Sequence, residues 1–211
     1  MYCATAIDIL QHPSETRVAK NTARICKLCL PQTQIWLGEG ADDFRQLRAE
    51  LATEARPVWL LYPGEAAQSF AQLIEAVQPQ VGVRLLLVDA TWKKAYKMWQ
   101  LNPWLECLPQ VSLSHLASNY RIRKSPKKHY LSTLEALGYS LTELEPGLDT
   151  RPLFQAFNAM QAHFQGYSSD RSNSDRNHND RSNNDRSNND RSNNDRSNNS
   201  DRHSLLDSSQ D

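Results

Sequence analysis

Four short apolar segments alternate with helix-forming segments in the first half of the chain, and this alternation restricts the fold more than any other feature. Each apolar segment has the length of a buried β-strand and ends in a turn rich in Pro, Gly or polar residues. Strands that alternate with helices predict an α/β domain with a mainly parallel sheet and flanking helices. The predicted strands cover residues 6–10, 34–37, 58–62 and 83–88.

The segments between these strands, and those that follow them, have helical composition and spacing. Ser132, with Glu135 three residues later, has the pattern of a capping box at the start of a helix. A further short strand is predicted over 111–113. The predicted helices cover residues 17–29, 42–51, 67–77, 93–100, 132–139 and 151–165.

Composition divides the chain into a body, residues 1–167, and a tail, residues 168–211. The tail repeats Asp-Arg-Ser-Asn-Asn and has almost no apolar residue before Leu205, so it cannot offset the entropy cost of folding. We expect the tail to be disordered. The whole chain carries 24 Lys and Arg against 24 Asp and Glu, so partners must be inferred from local clusters of charge.

Several classes of protein are disfavoured by the sequence. No run of 18 apolar residues predicts a membrane span, and no secretory signal is visible. The chain lacks the GxGxxG motif of nicotinamide-binding folds and the GxxxxGK[ST] motif of phosphate-binding loops. Its 4 Cys are too few and too scattered for a disulfide scaffold, which favours a cytoplasmic location.

Cys26 and Cys29 form a CxxC pattern within a predicted helix. A zinc site needs a second pair of ligands at suitable spacing, and only Cys3 and His12 are available. We therefore favour small core residues over zinc ligands at these two positions.

The segment from Asp89 to Trp92 lies where the strand over 83–88 passes into a helix. In open α/β sheets, ligands bind at this carboxyl edge, because strand ends and helix N-termini direct backbone donors into one crevice. A carboxylate, a hydroxyl and an indole meet here beside three lysines. This mixture favours a functional site over a purely structural turn.

Two basic clusters predict contact with phosphates of a nucleic acid, although each could also be a solvated charged face. The first surrounds Tyr120, and the second follows Asp89. The cationic residues are Arg121, Arg123, Lys124, Lys127 and Lys128 in the first cluster, and Lys93, Lys94 and Lys97 in the second.

These residues carry a resemblance to the DTW-domain family. Asp89-Ala90-Thr91-Trp92, followed by Ala95 and Lys97-Met98, is similar to the signature of that family, and the resemblance covers residues 7 to about 165. The tail lies outside it. The other matching landmarks, in chain order, are His12-Pro13-x-Glu15, Asn21-Thr22, Leu61-Tyr62-Pro63-Gly64, Leu108-Pro109, Tyr120-x-x-Arg123 and Leu131-Ser132-Thr133-Leu134-Glu135-Ala136.

The resemblance implies a tRNA-uridine aminocarboxypropyltransferase. Such enzymes move the 3-amino-3-carboxypropyl group of S-adenosylmethionine to N3 of a tRNA uridine and release methylthioadenosine; bacterial relatives modify the variable loop. The resemblance also implies a SPOUT-like fold with a C-terminal knot, although general rules of topology argue against knots.

Family members usually carry a cysteine-rich, zinc-binding segment before the first strand. Here that segment is missing or reduced to Cys3, so we expect no metal site.

The expected chemistry gives each candidate residue a role. Asp89 is the candidate base for uridine N3, because burial raises the pKa of a carboxyl group toward the working range; its alternative role is to cap the following helix. Trp92 is a candidate for stacking on a base, with core packing as the alternative. The predicted cofactor-binding residues are Pro63, Gly64, Thr91, Ser132, Thr133 and Glu135, and the predicted RNA-binding residues are Trp92, Lys93, Lys97, Tyr120, Arg121, Arg123, Lys124, Lys127 and Lys128.

Two other functions remain open on the sequence. One is a SPOUT-type RNA methyltransferase, which would transfer the methyl group of the same donor. The other is a non-catalytic, RNA-binding member of the family. The expected partner is tRNA, with no membrane partner and no inferable protein partner.

Overall fold

The alternating segments of the sequence form strands and helices in the predicted order. The computed structural model describes residues 1–79, 82–113 and 131–165, and residues Met1–Phe164 form one compact unit. The strands are β1 (Ala6–Gln11), β2 (Gln34–Leu37), β3 (Val58–Leu61), β4 (Arg84–Asp89) and β5 (Gln110–Val111). The helices are α1 (Thr22–Cys29), α2 (Arg45–Ala52), α3 (Phe70–Val77), α4 (Trp92–Leu101), α5 (Thr133–Leu144) and α6 (151–165).

All paired strands are parallel, and they lie in the order β2-β1-β4-β3-β5. β1 and β4 occupy the centre, where six residue pairs join them from Ala6 opposite Arg84 to Gln11 opposite Asp89. This confirms the predicted α/β class with a parallel sheet. Every strand therefore ends at the same edge, as the sequence interpretation of Asp89 requires.

The two faces of the sheet carry separate apolar cores. Ile7 and Ile9 of β1 face a core that α1, α3, α5 and α6 cover, whereas Leu10 faces a smaller core under α2 and α4. The pattern follows from the alternation of side chains along a strand. The central strands are thus buried on both faces, which explains why their sequences are nearly continuous apolar runs.

An ion-pair cluster interrupts the core at the amino end of the central strands. Arg84 donates through Nε to Asp8 Oδ2 at 2.6 Å, and through its terminal nitrogens to Glu50 and Glu54. The Trp36 indole donates to the other Asp8 oxygen at 2.6 Å. Because Asp8 and Arg84 are almost fully buried, removal of either partner would leave an uncompensated charge.

The end of α5 holds the start of the chain. The Glu145 carboxylate accepts hydrogen bonds from the backbone N–H groups of Ala4 and Thr5 at 3.0 and 2.8 Å, and from the Thr5 hydroxyl at 2.5 Å. This clamp fixes the two residues that precede β1 against a helix about 140 positions later in the chain. β1 therefore depends on α5 as well as on its neighbouring strands.

Several predicted boundaries were wrong. The helix predicted over 17–29 begins at Thr22, because a 3-10 turn at Pro13–Glu15 and the Asn21 cap precede it. Val18 and Leu28 are exposed, and the buried residues of α1 are Thr22, Ala23 and Cys26.

Other elements are shifted by a few residues relative to their predicted positions. The helix predicted from residue 42 begins at Arg45 after a turn, and the helix predicted from residue 67 begins after the Ser69 cap. The strand predicted over 111–113 is Gln110–Val111. Among the described residues, none of the helices is long and apolar enough to cross a membrane.

The ion-pair cluster predicts a pH dependence of stability. Hydrogen bonds from Arg56, and to a lesser extent from Arg84, lower the pKa of Glu54 from 4.5 to about 2. An acid whose pKa falls on folding stabilises the protein above its unfolded pKa, and this contribution is lost as the pH falls toward the folded pKa. We expect Glu54→Gln to reduce the loss in the free energy of unfolding between pH 4.5 and 2, measured by urea denaturation.

The partner variant provides the control for this measurement. Arg56→Gln removes the largest cause of the pKa shift, so it should abolish much of the same pH dependence. The double variant should then behave much like either single variant, because both act on one interaction. Parallel pH curves for Glu54→Gln and the unaltered protein would contradict this account.

Candidate active site at the carboxyl edge of the sheet

The centre of the carboxyl edge is a topological switch point. β1 passes into α1 on one face of the sheet, and its neighbour β4 passes into α4 on the other face. Helices that leave adjacent parallel strands in opposite directions leave a crevice between them, where ligands of open α/β proteins bind. Gln11 and Asp89 are the paired last residues of these two strands, so both lie at the crevice.

Asp89 is held by three neutral donors from three different elements. Gln11 Nε2 and Asn21 Nδ2 donate to its Oδ2 at 2.7 and 3.1 Å, and the Thr133 hydroxyl donates to its Oδ1 at 2.5 Å. The residue is 8% exposed, so it is buried as the sequence interpretation required. A carboxylate can accept about four hydrogen bonds. Among the residues that the structure describes, the donors therefore fill Oδ2 and leave one accepting position on Oδ1.

Two helix N-termini point at this carboxylate. Asn21 is the N-cap of α1, where its Oδ1 accepts from Arg24 N, and Thr133 is the first residue of α5. Partial positive charge at a helix N-terminus favours a nearby anion. The local folding of α1 and α5 therefore builds an environment that stabilises the negative charge of Asp89.

The alternative role of Asp89 as a helix cap is wrong. The N-cap of α4 is Thr91, and its side chain makes no capping hydrogen bond. The Asp89 oxygens instead accept from donors outside α4. The carboxylate is thus aimed away from α4 and toward the α1 and α5 side of the sheet.

Ser132 and Glu135 form the predicted capping box. Ser132 Oγ accepts from Glu135 N at 3.2 Å, and Glu135 Oε2 accepts from Ser132 N at 2.8 Å. Glu135 is only 1% exposed. These contacts confirm the structural role of the pair, and they orient Thr133 toward Asp89. A cofactor-binding role for Ser132, Thr133, Glu135 and Thr91 stays a prediction.

Pro63 and Gly64 follow β3, the strand beside β4. Pro63 is exposed, and Gly64 lies in a tight turn in which its N–H donates to Tyr62 O at 2.9 Å. A Cβ atom at Gly64 would lie only 2.1 Å from Gln110 Oε1, the far end of a flexible side chain that would have to shift. The placement at the edge is compatible with the predicted cofactor contact, which stays a prediction.

A polar chain joins α4 to the turns after β1 and β2. Lys97 Nζ lies 2.9 Å from Glu39 Oε1, and His12 Nε2 lies 3.2 Å from the same oxygen. His12 Nδ1 accepts from Ser14 N, and Ser14 Oγ accepts from Lys94. Lys97, and then His12, lower the pKa of the Glu39 carboxyl group. The predicted phosphate contact of Lys97 would therefore compete with Glu39.

The other predicted RNA-binding residues fall into two groups. Lys93 and Trp92 are exposed on the first turn of α4, close in sequence to Asp89. The first basic cluster, Tyr120, Arg121, Arg123, Lys124, Lys127 and Lys128, lies outside the described residues. Its contact with RNA stays a prediction.

The core interpretation of the CxxC pattern is confirmed for Cys26, which is fully buried. Burial, and then the charge of Asp89, raise the pKa of the Cys26 thiol well above its ordinary value. Cys29 is half-buried. In the part of the chain that the structure describes, no group of three or more His, Cys, Asp or Glu side chains could hold a metal ion.

Sequence reasoning missed Gln11 and Asn21 as parts of the site. Both gave a signal, since Gln11 is the polar end of a buried strand, and Asn21 directly precedes a helix. Neither feature of the sequence shows that these residues contact Asp89 in the folded structure.

The structure also has a groove of about 640 Å³ at the opposite edge, between Thr5, Gly82 and Glu145, which is remote from the strand ends that form the crevice.

The contact between Thr133 and Asp89 predicts a measurable stabilisation. Thr133→Val keeps the shape of the side chain but removes the hydroxyl donor, so we expect the free energy of unfolding to fall by about 1.5–3 kcal/mol. Thr133→Ser retains the hydroxyl and should preserve most of that stability. Urea denaturation of both variants tests this, and equal losses would show that the methyl group matters rather than the hydrogen bond.

Comparisons with known proteins bear on this site. The family model of the DTW domain matches residues 2–165. The chain is 30% identical to "tRNA-uridine aminocarboxypropyltransferase 2" of Macaca fascicularis over 69% of its length, and 31% identical to the proteins of the same name from Mus musculus and Drosophila melanogaster over 67%. These matches cover 49%, 48% and 57% of the relatives, so the chain spans about half their length.

No solved structure gives a significant match. The family match covers all the elements that build the crevice around Asp89, from β1 to α5. The relatives are named for transfer of an aminocarboxypropyl group to a tRNA uridine. The chain belongs to the DTW-domain family.

Proposed function

We propose that this chain is a tRNA-uridine aminocarboxypropyltransferase that uses S-adenosylmethionine as the donor and N3 of a tRNA uridine as the acceptor. The observation that carries the proposal is the Asp89 carboxylate at the switch point, where the donors of the described residues leave one accepting position on Oδ1. The names of the relatives supply the reaction class. A reaction in the cytoplasm, with a variable-loop uridine as the first position to test, belongs to the same proposal.

The residues at the crevice fit such a donor. S-adenosylmethionine carries a sulfonium and an ammonium group, and Asp89 is a buried negative charge beside the crevice at the ends of β1 and β4. The amino acid carboxylate of the donor suits the N-terminus of α5, where backbone N–H groups and the helix dipole favour an anion. Thr133 and Ser132 would lie beside that group, and Pro63 and Gly64 would approach the adenosine from the end of β3.

Asp89 would act as the base in the transfer. Uridine N3–H is a weak acid and a poor nucleophile until it is deprotonated. The unfilled position of Oδ1 accepts the N3 proton, while Gln11 and Asn21 keep Oδ2 in place. The bound donor supplies an electrophilic methylene carbon, so that the N3–C bond forms as the C–S bond breaks and neutral methylthioadenosine leaves.

The rest of the site would contribute alignment. The attacking nitrogen, the methylene carbon and the sulfur must lie nearly in line, and such positioning accounts for a large part of a transfer rate. The three donors to Asp89 come from β1, α1 and α5, so the position of the base is set by three elements of the fold.

The parallel sheet with helices on both faces supports a SPOUT-like domain. The C-terminal knot stays a prediction, because residues 114–130 and 166–211 lie outside the described residues.

Asp89→Asn tests the proposed base. The full chain is incubated with S-adenosylmethionine and tRNA, and the nucleosides and small products are analysed by mass spectrometry. We expect the unaltered chain to form aminocarboxypropyl-uridine and methylthioadenosine, and the variant to lose the transfer by about 100-fold or more. Thermal unfolding should show that the variant is folded, since Asn can direct its Oδ1 toward Gln11 and Asn21 and its Nδ2 toward the Thr133 hydroxyl, which can accept.

The matched control is Asp42→Asn, which makes the same chemical change at a side chain that is 95% exposed in a surface turn. It should retain full transfer. Full activity of Asp89→Asn would exclude the base role, whereas S-adenosylhomocysteine as the product would show methyl transfer instead. Absence of any uridine modification, both in this assay and in tRNA from cells that carry the gene, would favour the non-catalytic alternative.

A further inference from the structure

Three aromatic side chains share one side of α4 without being its core residues. Trp92, Tyr96 and Trp99 have i, i+4, i+7 spacing, which places them within ~60° of arc on the helix. The core-facing residues of the same helix are Ala95 and Met98. Trp92 is 41% exposed and Tyr96 is 58% exposed, whereas Trp99 packs partly against the core under α2 and α4.

A fourth ring extends the patch onto the sheet edge. Tyr62, the residue after β3, stacks on Trp99 with a centroid distance of 4.6 Å and an interplanar angle of 10°. Burial, and then the neighbouring Tyr96, raise the pKa of Tyr62, which places the two phenols near each other. We call the rings of Tyr62, Trp92, Tyr96 and Trp99 the α4 aromatic face.

Positive charge borders this face. α4 contains Lys93, Lys94 and Lys97 and no acidic residue. Lys94 and Lys97 contact Ser14 and Glu39, whereas Lys93 has no ion pair within the described residues. On a helix with 100° between residues, Lys93 and Lys97 lie ~60° and ~100° from Tyr96 around the axis, with Gln100 between them and Tyr96.

Planar rings beside cations suit unpaired nucleotides of RNA. Bases outside a duplex offer both faces for stacking on aromatic side chains, and the adjacent phosphates are bound by lysines. In a duplex, the bases are stacked on one another and could not reach the rings. A second copy of the chain would have to bury Lys93 against this face, which disfavours it as the occupant.

The α4 aromatic face begins close to Asp89 along the chain, which suggests which nucleotides it would contact. Trp92 lies three residues after Asp89, and the face continues from there along α4 to Trp99. The distance along the helix is ~10 Å, which corresponds to about two or three nucleotides at a rise of ~3.4 Å. The Asp89 carboxylate faces the α1 and α5 side of the sheet, so a strand with its uridine at Asp89 would reach these rings by crossing the carboxyl edge beside Trp92.

We infer that the α4 aromatic face is a stacking surface for the unpaired nucleotides that flank the target uridine. This inference rests on the proposed function in that it takes tRNA as the substrate. It adds that the enzyme holds the target as a locally single-stranded segment, with Tyr96 as the central contact.

Binding measurements with Tyr96→Leu and Trp92→Leu test the inference. Leu keeps an apolar side chain but removes the π face. Fluorescence anisotropy with a labelled tRNA and a labelled single-stranded uridine-containing oligoribonucleotide should show binding weakened about tenfold for Tyr96→Leu, from the loss of one stacked base. The matched control is Tyr2→Leu, which makes the same change at a tyrosine outside α4 that is 80% exposed and should bind like the unaltered chain.

The outcomes separate this inference from the proposed function, because binding is measured without donor. Unchanged binding by both variants, or equal competition by a duplex of the same sequence, overturns the stacking surface even if transfer to uridine occurs. Loss of a dimer in the variants, measured by sedimentation without RNA, overturns it in favour of a second copy as the occupant. Weakened binding without any transfer in the unaltered chain supports the surface and overturns the proposed reaction.

Discussion

The register between β1 and β4 is the constraint on which the other features of this protein depend. The same six residue pairs bring Arg84 onto Asp8 on the α2 and α4 side of the sheet, and bring Gln11 beside Asp89 on the opposite side. A shift of one residue would turn every side chain of β1 to the other face, since the side-chain period of a strand is two. It would turn Asp8 away from Arg84 toward the opposite core, and it would turn Gln11 away from Asp89. The ion pair and the candidate site therefore enforce the same register.

The donors that surround the Asp89 carboxylate come from features of local structure that are common in proteins. An asparagine cap, the first hydroxyl of a helix and the polar last residue of a strand are ordinary features singly. Their convergence on one carboxylate is specific, because it requires β1, β4, α1 and α5 to meet at one edge. The carboxylate is thereby held in a fixed orientation with its accepting capacity restricted to Oδ1, which is the property that a positioned base needs.

The sequence was most informative where a single local pattern determines the structure. Apolar runs located the central strands, and the Ser132 and Glu135 spacing located the start of α5. It was least informative where the partner is distant in the chain. Gln11 and Asp89 are 78 positions apart, and nothing in either segment identifies the other. The start of α1 was placed too early for a related reason, because the helical composition of residues 17–21 does not show that Asn21 is turned toward Asp89.

The Glu145 clamp has a consequence for the way in which this chain acquires its structure. β1 is synthesised early, yet its partner β4 follows about 76 positions later, and the carboxylate that holds Ala4 and Thr5 follows about 140 positions later. Domains with such long-range contacts fold slowly, because the loop-closure entropy is lost before the contacts form. β2 can pair with one side of β1 early, but the other side of β1 must remain unpaired until β4 has been translated. During that interval the open side of β1 is exposed to chaperones and to aggregation.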